Sequence, residues 1–166
     1  MLNLEDSVAT RHLASVYCGA VDDGNAERMS SLFVPDGQLI VYPAGSLPGA
    51  SEPLRSWTGP SGFSKLLSVL SQSYLRWVHF LGNHWVEVNG DSARGEAYLF
   101  ACHLREDTNG QKEEVALIRY RDNYVRTADG WRFSERHAYR QWTTLRGIDT
   151  GEHSIDTVMH GIADRK

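Results

Sequence analysis

The feature that most constrains this chain is the regular spacing of turn signals through its second half. Asn89-Gly90-Asp91, Asp107-Thr108-Asn109-Gly110 and Ala128-Asp129-Gly130 punctuate long stretches rich in aromatic and branched residues. Such clusters between such stretches mark β-hairpins, because Gly and Asx residues take turn conformations that other side chains resist. Strands are therefore predicted over 75–88, 92–104, 114–126 and 131–145, an antiparallel meander. A sheet of this kind must bury one face against a second layer.

The first half supplies that layer. Leu13, Val16, Tyr17 and Ala20 recur at helical intervals and predict a helix ending at about Val21, where Asp22-Asp23-Gly24-Asn25 breaks it. Asn3 and Asp6 are candidates to cap its start. Ala26, Met29, Leu32 and Phe33 predict a short second helix, and Pro35-Asp36-Gly37 turns the chain into a strand from Gln38 to Tyr42. Four of the five prolines fall in 43–60, which reads as a loop long enough to flap over an entrance. Phe63, Leu66, Leu67 and Leu70 mark a third helix. The polar tail from Arg146 contains a short helical pattern around His153 to Ile162. The expectation is one α+β domain over residues 1–145, followed by a C-terminal tail over 146–166.

Composition narrows the function. A length of 166 residues suits a single domain, and 17 basic against 21 acidic side chains give a net charge of −4. Nucleic acid is not expected as a partner, since phosphate binding needs a basic face. No apolar run is long enough to span a bilayer, and the early acids Glu5 and Asp6 do not suit a signal peptide. A soluble cytoplasmic protein is expected. Cys18 and Cys102 fit neither a disulfide framework nor a zinc site, and no metal-binding or nucleotide-binding spacing occurs. Neither metal nor cofactor is expected.

The strand around 93–103 is the most informative local pattern. Alternation places Ala93, Gly95, Ala97, Leu99, Ala101 and His103 on one face. Small residues there leave room for a cavity, and His103 ends the row as either a satisfied core histidine or a pocket acid–base group. His79 and His84 fall on opposite faces unless the chain bulges at Gly82. Asp22 either caps the second helix or faces a histidine, where a carboxylate would fix the imidazole tautomer.

Five stretches, taken together, resemble the SnoaL-like group of the nuclear transport factor 2-like superfamily. They are Tyr17-Cys18-Gly19-Ala20-Val21-Asp22, Leu32-Phe33-Val34-Pro35-Asp36-Gly37, Val78-His79-Phe80-Leu81-Gly82-Asn83, Val86-Glu87-Val88-Asn89-Gly90-Asp91 and Asp129-Gly130-Trp131-Arg132-Phe133. The resemblance implies a curved antiparallel sheet wrapped by N-terminal helices into an open cone, the cystatin-like α+β barrel. Within the superfamily the chain is most similar to lyases of the scytalone dehydratase, hexachlorocyclohexane dehydrochlorinase and bile acid 7α-dehydratase type. On that likeness Asp22 and His79 match an active-site aspartate–histidine dyad. Tyr17 and Arg140 match the tyrosine and late-strand arginine of the bile acid enzyme, and His103 the second histidine of the scytalone enzyme. Residues 119–123 do not reproduce the serine and asparagine that the scytalone enzyme uses.

The resemblance implies a cofactor-independent, dehydratase-like elimination on a small hydrophobic cyclic ligand, aromatic, polyketide-like or steroid-like. His79 would be the base, Tyr17 or Arg140 would stabilise an oxyanion, and His103 or Tyr17 would protonate the leaving group. An isomerase or cyclase, a ligand-binding protein and a dioxygenase small-subunit-like protein are the alternatives. A homo-oligomer, dimer or trimer, is expected, paired through an exposed sheet face bearing Tyr98, Phe100, Tyr120 and Tyr124.

Overall fold

Alternation in the second half builds four long strands, β3 (Arg76–Asn89), β4 (Ser92–Asp107), β5 (Gly110–Thr127) and β6 (Gly130–Gly147). The computed structural model describes residues 4–108 and 110–148. The helical pattern of the tail around His153 to Ile162, and the candidate cap Asn3, lie outside them. Ahead of the meander come α1 (Leu4–Asp22), α2 (Ala26–Ser31), β1 (Phe33–Tyr42), β2 (Arg55–Thr58) and α3 (Gly59–Ser73). Gly90 takes φ of 60° in the two-residue β3–β4 turn, a left-handed geometry that glycine adopts without a Cβ clash.

The sheet has six strands in the order β2-β1-β6-β5-β4-β3. Two features depart from the expected meander. First, β1 runs parallel to β6, pairing Leu39 with Arg136 and Val41 with Ala138, so the sheet is mixed. Second, the predicted loop 43–60 contains β2, which pairs antiparallel with β1 from Gln38–Thr58 to Val41–Arg55. The prolines flank this strand without entering it, which leaves Ser56 and Trp57 free to join an edge. β1 also begins earlier than predicted, at Phe33, and crosses Pro35-Asp36-Gly37 through an irregularity in its register. The curved sheet is open, with β2 and β3 as its edges, and is not a closed barrel.

The core lies between the concave sheet face and the helices. Ala97, Leu99 and Ala101 of β4 are buried there with Leu13, Ala14, Tyr17 and Val21 of α1. The Phe33 ring packs between Phe63 at 4.5 Å and Phe133 at 5.1 Å, centroid to centroid. Replacing a buried ring of this kind by alanine costs ~3–5 kcal/mol. An ion pair sits within the same layer. Arg136 and Asp122 have fully buried side chains, with Nε to Oδ1 at 3.1 Å. The guanidinium lies over Tyr120, Tyr17 and Phe133 at 4.0, 4.2 and 4.6 Å. Burial opposes the Arg136 charge, but Asp122 and the tyrosines more than offset that cost, so its pKa is raised.

The concave face also takes Tyr120 and Tyr124, which are 4% and 1% exposed. Their expected place on the outer face is therefore corrected. The register of β5 puts them in the row Glu114, Ala116, Ile118, Tyr120, Asp122 and Tyr124, opposite the small residues of β4. The outer face carries Tyr98 and Phe100, together with the exposed side chains of Val78, Phe80 and Trp142. No helix of the described residues is long and apolar enough to cross a membrane.

Candidate functional site

The end of α1 and the start of β3 are fastened side by side. Trp77 donates its indole N–H to the carbonyl of Val21 at 2.7 Å. The next residue of α1, Asp22, then receives two hydrogen bonds from His79. Its Oδ2 accepts the backbone N–H at 3.1 Å, and its Oδ1 accepts from Nδ1 at 2.6 Å. One carboxylate thus fixes both the main chain and the ring. Asp22 is not the cap of α2; Asn25 does that, accepting from the Arg28 N–H at 2.9 Å. With Nδ1–H directed at Asp22, Nε2 of His79 carries the lone pair. The His79 side chain is 7% exposed, so little water competes for that pair.

His79 lines a cavity of about 180 Å³ beneath α1 and α3, with Tyr17, Tyr74, His103, Glu114 and Arg140 as the other polar contributors. Leu39, Val41, Trp57, Leu66 and Leu70 form much of its apolar wall. It is not the largest hollow of the molecule. One of about 840 Å³ lies by the β3–β4 turn, lined by Val88, Asn89 and Ser92, and contains no histidine. The expectation of small residues on the β4 face holds, and His103 closes that row at 9% exposure.

The His103 ring stacks on Tyr74, centroids 4.3 Å apart, and meets the edge of His79 at 6.0 Å. Burial, reinforced by His79 and Arg140, pushes its pKa down to about 4. His103 is therefore neutral near pH 7, a hydrogen-bonding group and not a charged acid. Its Nδ1 is buried without a partner. Tyr17 is 2% exposed, and burial, then Tyr120, hold its pKa well above 10, so it remains a protonated donor. Arg140 is half-buried and its side chain makes no hydrogen bond or ion pair with any described residue.

All five residues predicted from the sequence, Asp22, His79, Tyr17, His103 and Arg140, thus reach one place, four of them lining the cavity and Asp22 behind His79. Sequence reasoning missed Tyr74 and Glu114. Tyr74 donates its hydroxyl to Glu114 at 3.3 Å, and Glu114 is the register partner of His103. Glu114 was legible in principle, as a carboxylate heading the row Ala116, Ile118, Tyr120. Tyr74 follows α3 with no periodic signal. The bulge in β3 between Leu81 and His84 returns His84 to the concave side, where Nε2 meets the Tyr124 hydroxyl at 3.2 Å. Among the described residues no group of three His, Cys, Asp or Glu side chains is placed to hold a metal ion.

A helix-covered open sheet with a polar cluster beside a small, largely apolar cavity defines a cystatin-like α+β architecture. The chain belongs to the SnoaL-like domain family, which matches residues 3–137. Uncharacterized proteins of Mycobacterium tuberculosis and Mycobacterium bovis are 26% identical to it over 135 residues, covering 80% of this chain and 84% of theirs. Among solved structures, a hexachlorocyclohexane dehydrochlorinase of Novosphingobium barchaimii superposes with a TM-score of 0.69 at 22% identity, over 87% of this chain and 92% of that one. A scytalone dehydratase candidate of Novosphingobium aromaticivorans gives 0.68 at 20% identity, over 86% and 88%. A cystatin-like protein of Nostoc punctiforme with unknown function gives 0.65 at 18% identity, over 84% and 94%. At these identities the likeness establishes the fold.

Proposed function

We propose that this protein is a cofactor-independent lyase that eliminates water, or another small leaving group, from a small cyclic substrate. The observation that carries the reading is the 2.6 Å contact between His79 Nδ1 and Asp22, which leaves Nε2 as a base beside the cavity. A carboxylate behind the imidazole holds it in the productive tautomer and stabilises the imidazolium that forms. His79 Nε2 takes a proton from the carbon next to an activating carbonyl, and charge builds on the carbonyl oxygen. Tyr17, kept protonated by its burial, is the donor for that oxygen in a water-poor site. The β carbon–oxygen bond then breaks, the carbon–carbon double bond forms, and the proton held on Nε2 leaves with the hydroxyl as water.

This assignment differs from the expectation in one respect. His103 was a candidate to protonate the leaving group, but a group with a pKa of about 4 carries no ionisable proton to give at pH 7. His79 itself is the better acid after its first step. The dehydrochlorinase and dehydratase names of its structural neighbours support elimination, and the family match supports a lyase or isomerase scaffold. We also assign the outer sheet face, with Phe80 at 73% and Trp142 at 57% exposure, to self-association. The test of the lyase reading is a panel of cyclic β-hydroxy ketones, followed by absorbance of the conjugated product. Turnover by the wild type that falls ~10²–10⁴-fold in His79→Ala supports it. Turnover unchanged in that variant refutes it, and rearranged product without loss of water makes the protein an isomerase.

A further inference from the structure

We propose that the cavity takes a substrate built on a single six-membered ring that bears an anionic oxygen substituent, a carboxylate or ionised enol, anchored by Arg140. The inference rests on the cavity being the reaction site, and names the class of molecule it receives.

Size sets the first limit. The cavity holds about 180 Å³. An apolar cavity of roughly 150 Å³ accommodates benzene, so one ring with a short substituent fills this one. A fused four-ring skeleton needs roughly three times the benzene volume by the same scaling. The volume of this cavity therefore suits one ring better than the fused steroid-like or larger polyketide-like skeletons among the expectations.

Charge sets the second. Asp22 is occupied by His79, and the Glu114 carboxylate accepts the Tyr74 hydroxyl. Arg140 is different: it lines the cavity, is half-buried, and its side chain has no partner among the described residues. A guanidinium that has lost much of its water without gaining a carboxylate is poised for a ligand anion, which it can bind through two parallel hydrogen bonds. His103 supplies an independent observation. It lines the same cavity, is 9% exposed, and its buried Nδ1 lacks a partner. Buried polar atoms are normally satisfied, and this unsatisfied one belongs to a residue that lines the cavity. The remaining walls, Leu39, Val41, Leu66, Leu70 and the Trp57 ring, suit the apolar body of a ring.

Isothermal titration calorimetry on the full chain tests this with three probes: benzoate, its neutral counterpart benzamide, and the four-ring carboxylate cholate. The wild type is expected to bind benzoate about tenfold or more tightly than benzamide, the gain of a charge-assisted pair. Arg140→Gln should bring the two affinities together. Cholate should not saturate the protein. His79→Ala should keep the benzoate preference, so the outcome is independent of whether His79 is the base. Equal affinity for benzoate and benzamide in the wild type overturns the proposal. So do a preference that survives Arg140→Gln, saturable cholate binding, or no saturable binding of any probe. Failure of the lyase reading would show separately, as turnover that survives His79→Ala.

Discussion

Replacing His103 by phenylalanine should make the protein more resistant to acid. The unfolded chain protonates this histidine near pH 6.5, whereas the folded protein refuses the proton until about pH 4. Between those values the unfolded state binds more protons, so stability falls as the pH falls. Below pH 4 both states are protonated and the loss is complete. At roughly 1.4 kcal/mol per pH unit, the span from 6.5 to about 4 amounts to about 3 kcal/mol. Phenylalanine keeps a ring to stack on Tyr74 and removes the titrating group together with its unpartnered Nδ1. His84, also lowered to about 4 by burial and then Arg136 and Arg11, is present in both proteins and cancels in the comparison. Urea unfolding at pH 7.5 and pH 4.5 provides the assay. The wild type should lose on the order of 2–3 kcal/mol more than His103→Phe between the two conditions. Equal losses would refute the argument, and would mean that water or a counter-charge reaches His103 in the folded state.

Two further outcomes are expected. Arg136→Met should destabilise the fold by about 3–5 kcal/mol, because Asp122 is left buried and unpaired, and Arg136→Met with Asp122→Leu should recover much of that loss; strictly additive effects in thermal melts would contradict this. Light scattering at micromolar concentration should give the mass of a dimer or trimer, and Phe80→Glu should shift it toward the monomer, whereas a monomeric wild type would remove the role assigned to the outer face.

Much of the fold was legible because local and global signals agree. The turn clusters at 89–91 and 128–130 close hairpins in the structure, and the stripe around Leu13, Tyr17 and Ala20 is the buried side of α1. What escaped depends on partners distant in the chain. The short strand β2 exists because β1 offers it an edge, and the parallel pairing of β1 with β6 joins segments about a hundred residues apart, which no local periodicity encodes. The inward direction of Tyr120 and Tyr124 required the register of β5 against the small residues of β4. In the site, Asp22 and His79 were found through a resemblance, since spacing alone left Asp22 as a possible helix cap. Tyr74 and Glu114 come together across the sheet and α3, and only three-dimensional structure pairs them.

The central claim, that His79 is a base held ready by Asp22, is tested most directly by carbon–hydrogen exchange. Cyclohexanone, a single-ring ketone without a leaving group, incubated with the protein in heavy water, isolates proton abstraction from every later step. Nuclear magnetic resonance would follow the loss of its α protons. The account predicts exchange above the buffer rate with wild type, a fall of ~10²–10⁴-fold in His79→Ala, and a severe fall in Asp22→Asn, where the amide favours the wrong tautomer. Wild-type exchange that persists undiminished in both variants, with folding intact by circular dichroism, would contradict it and reduce the pair to a fastening between α1 and β3.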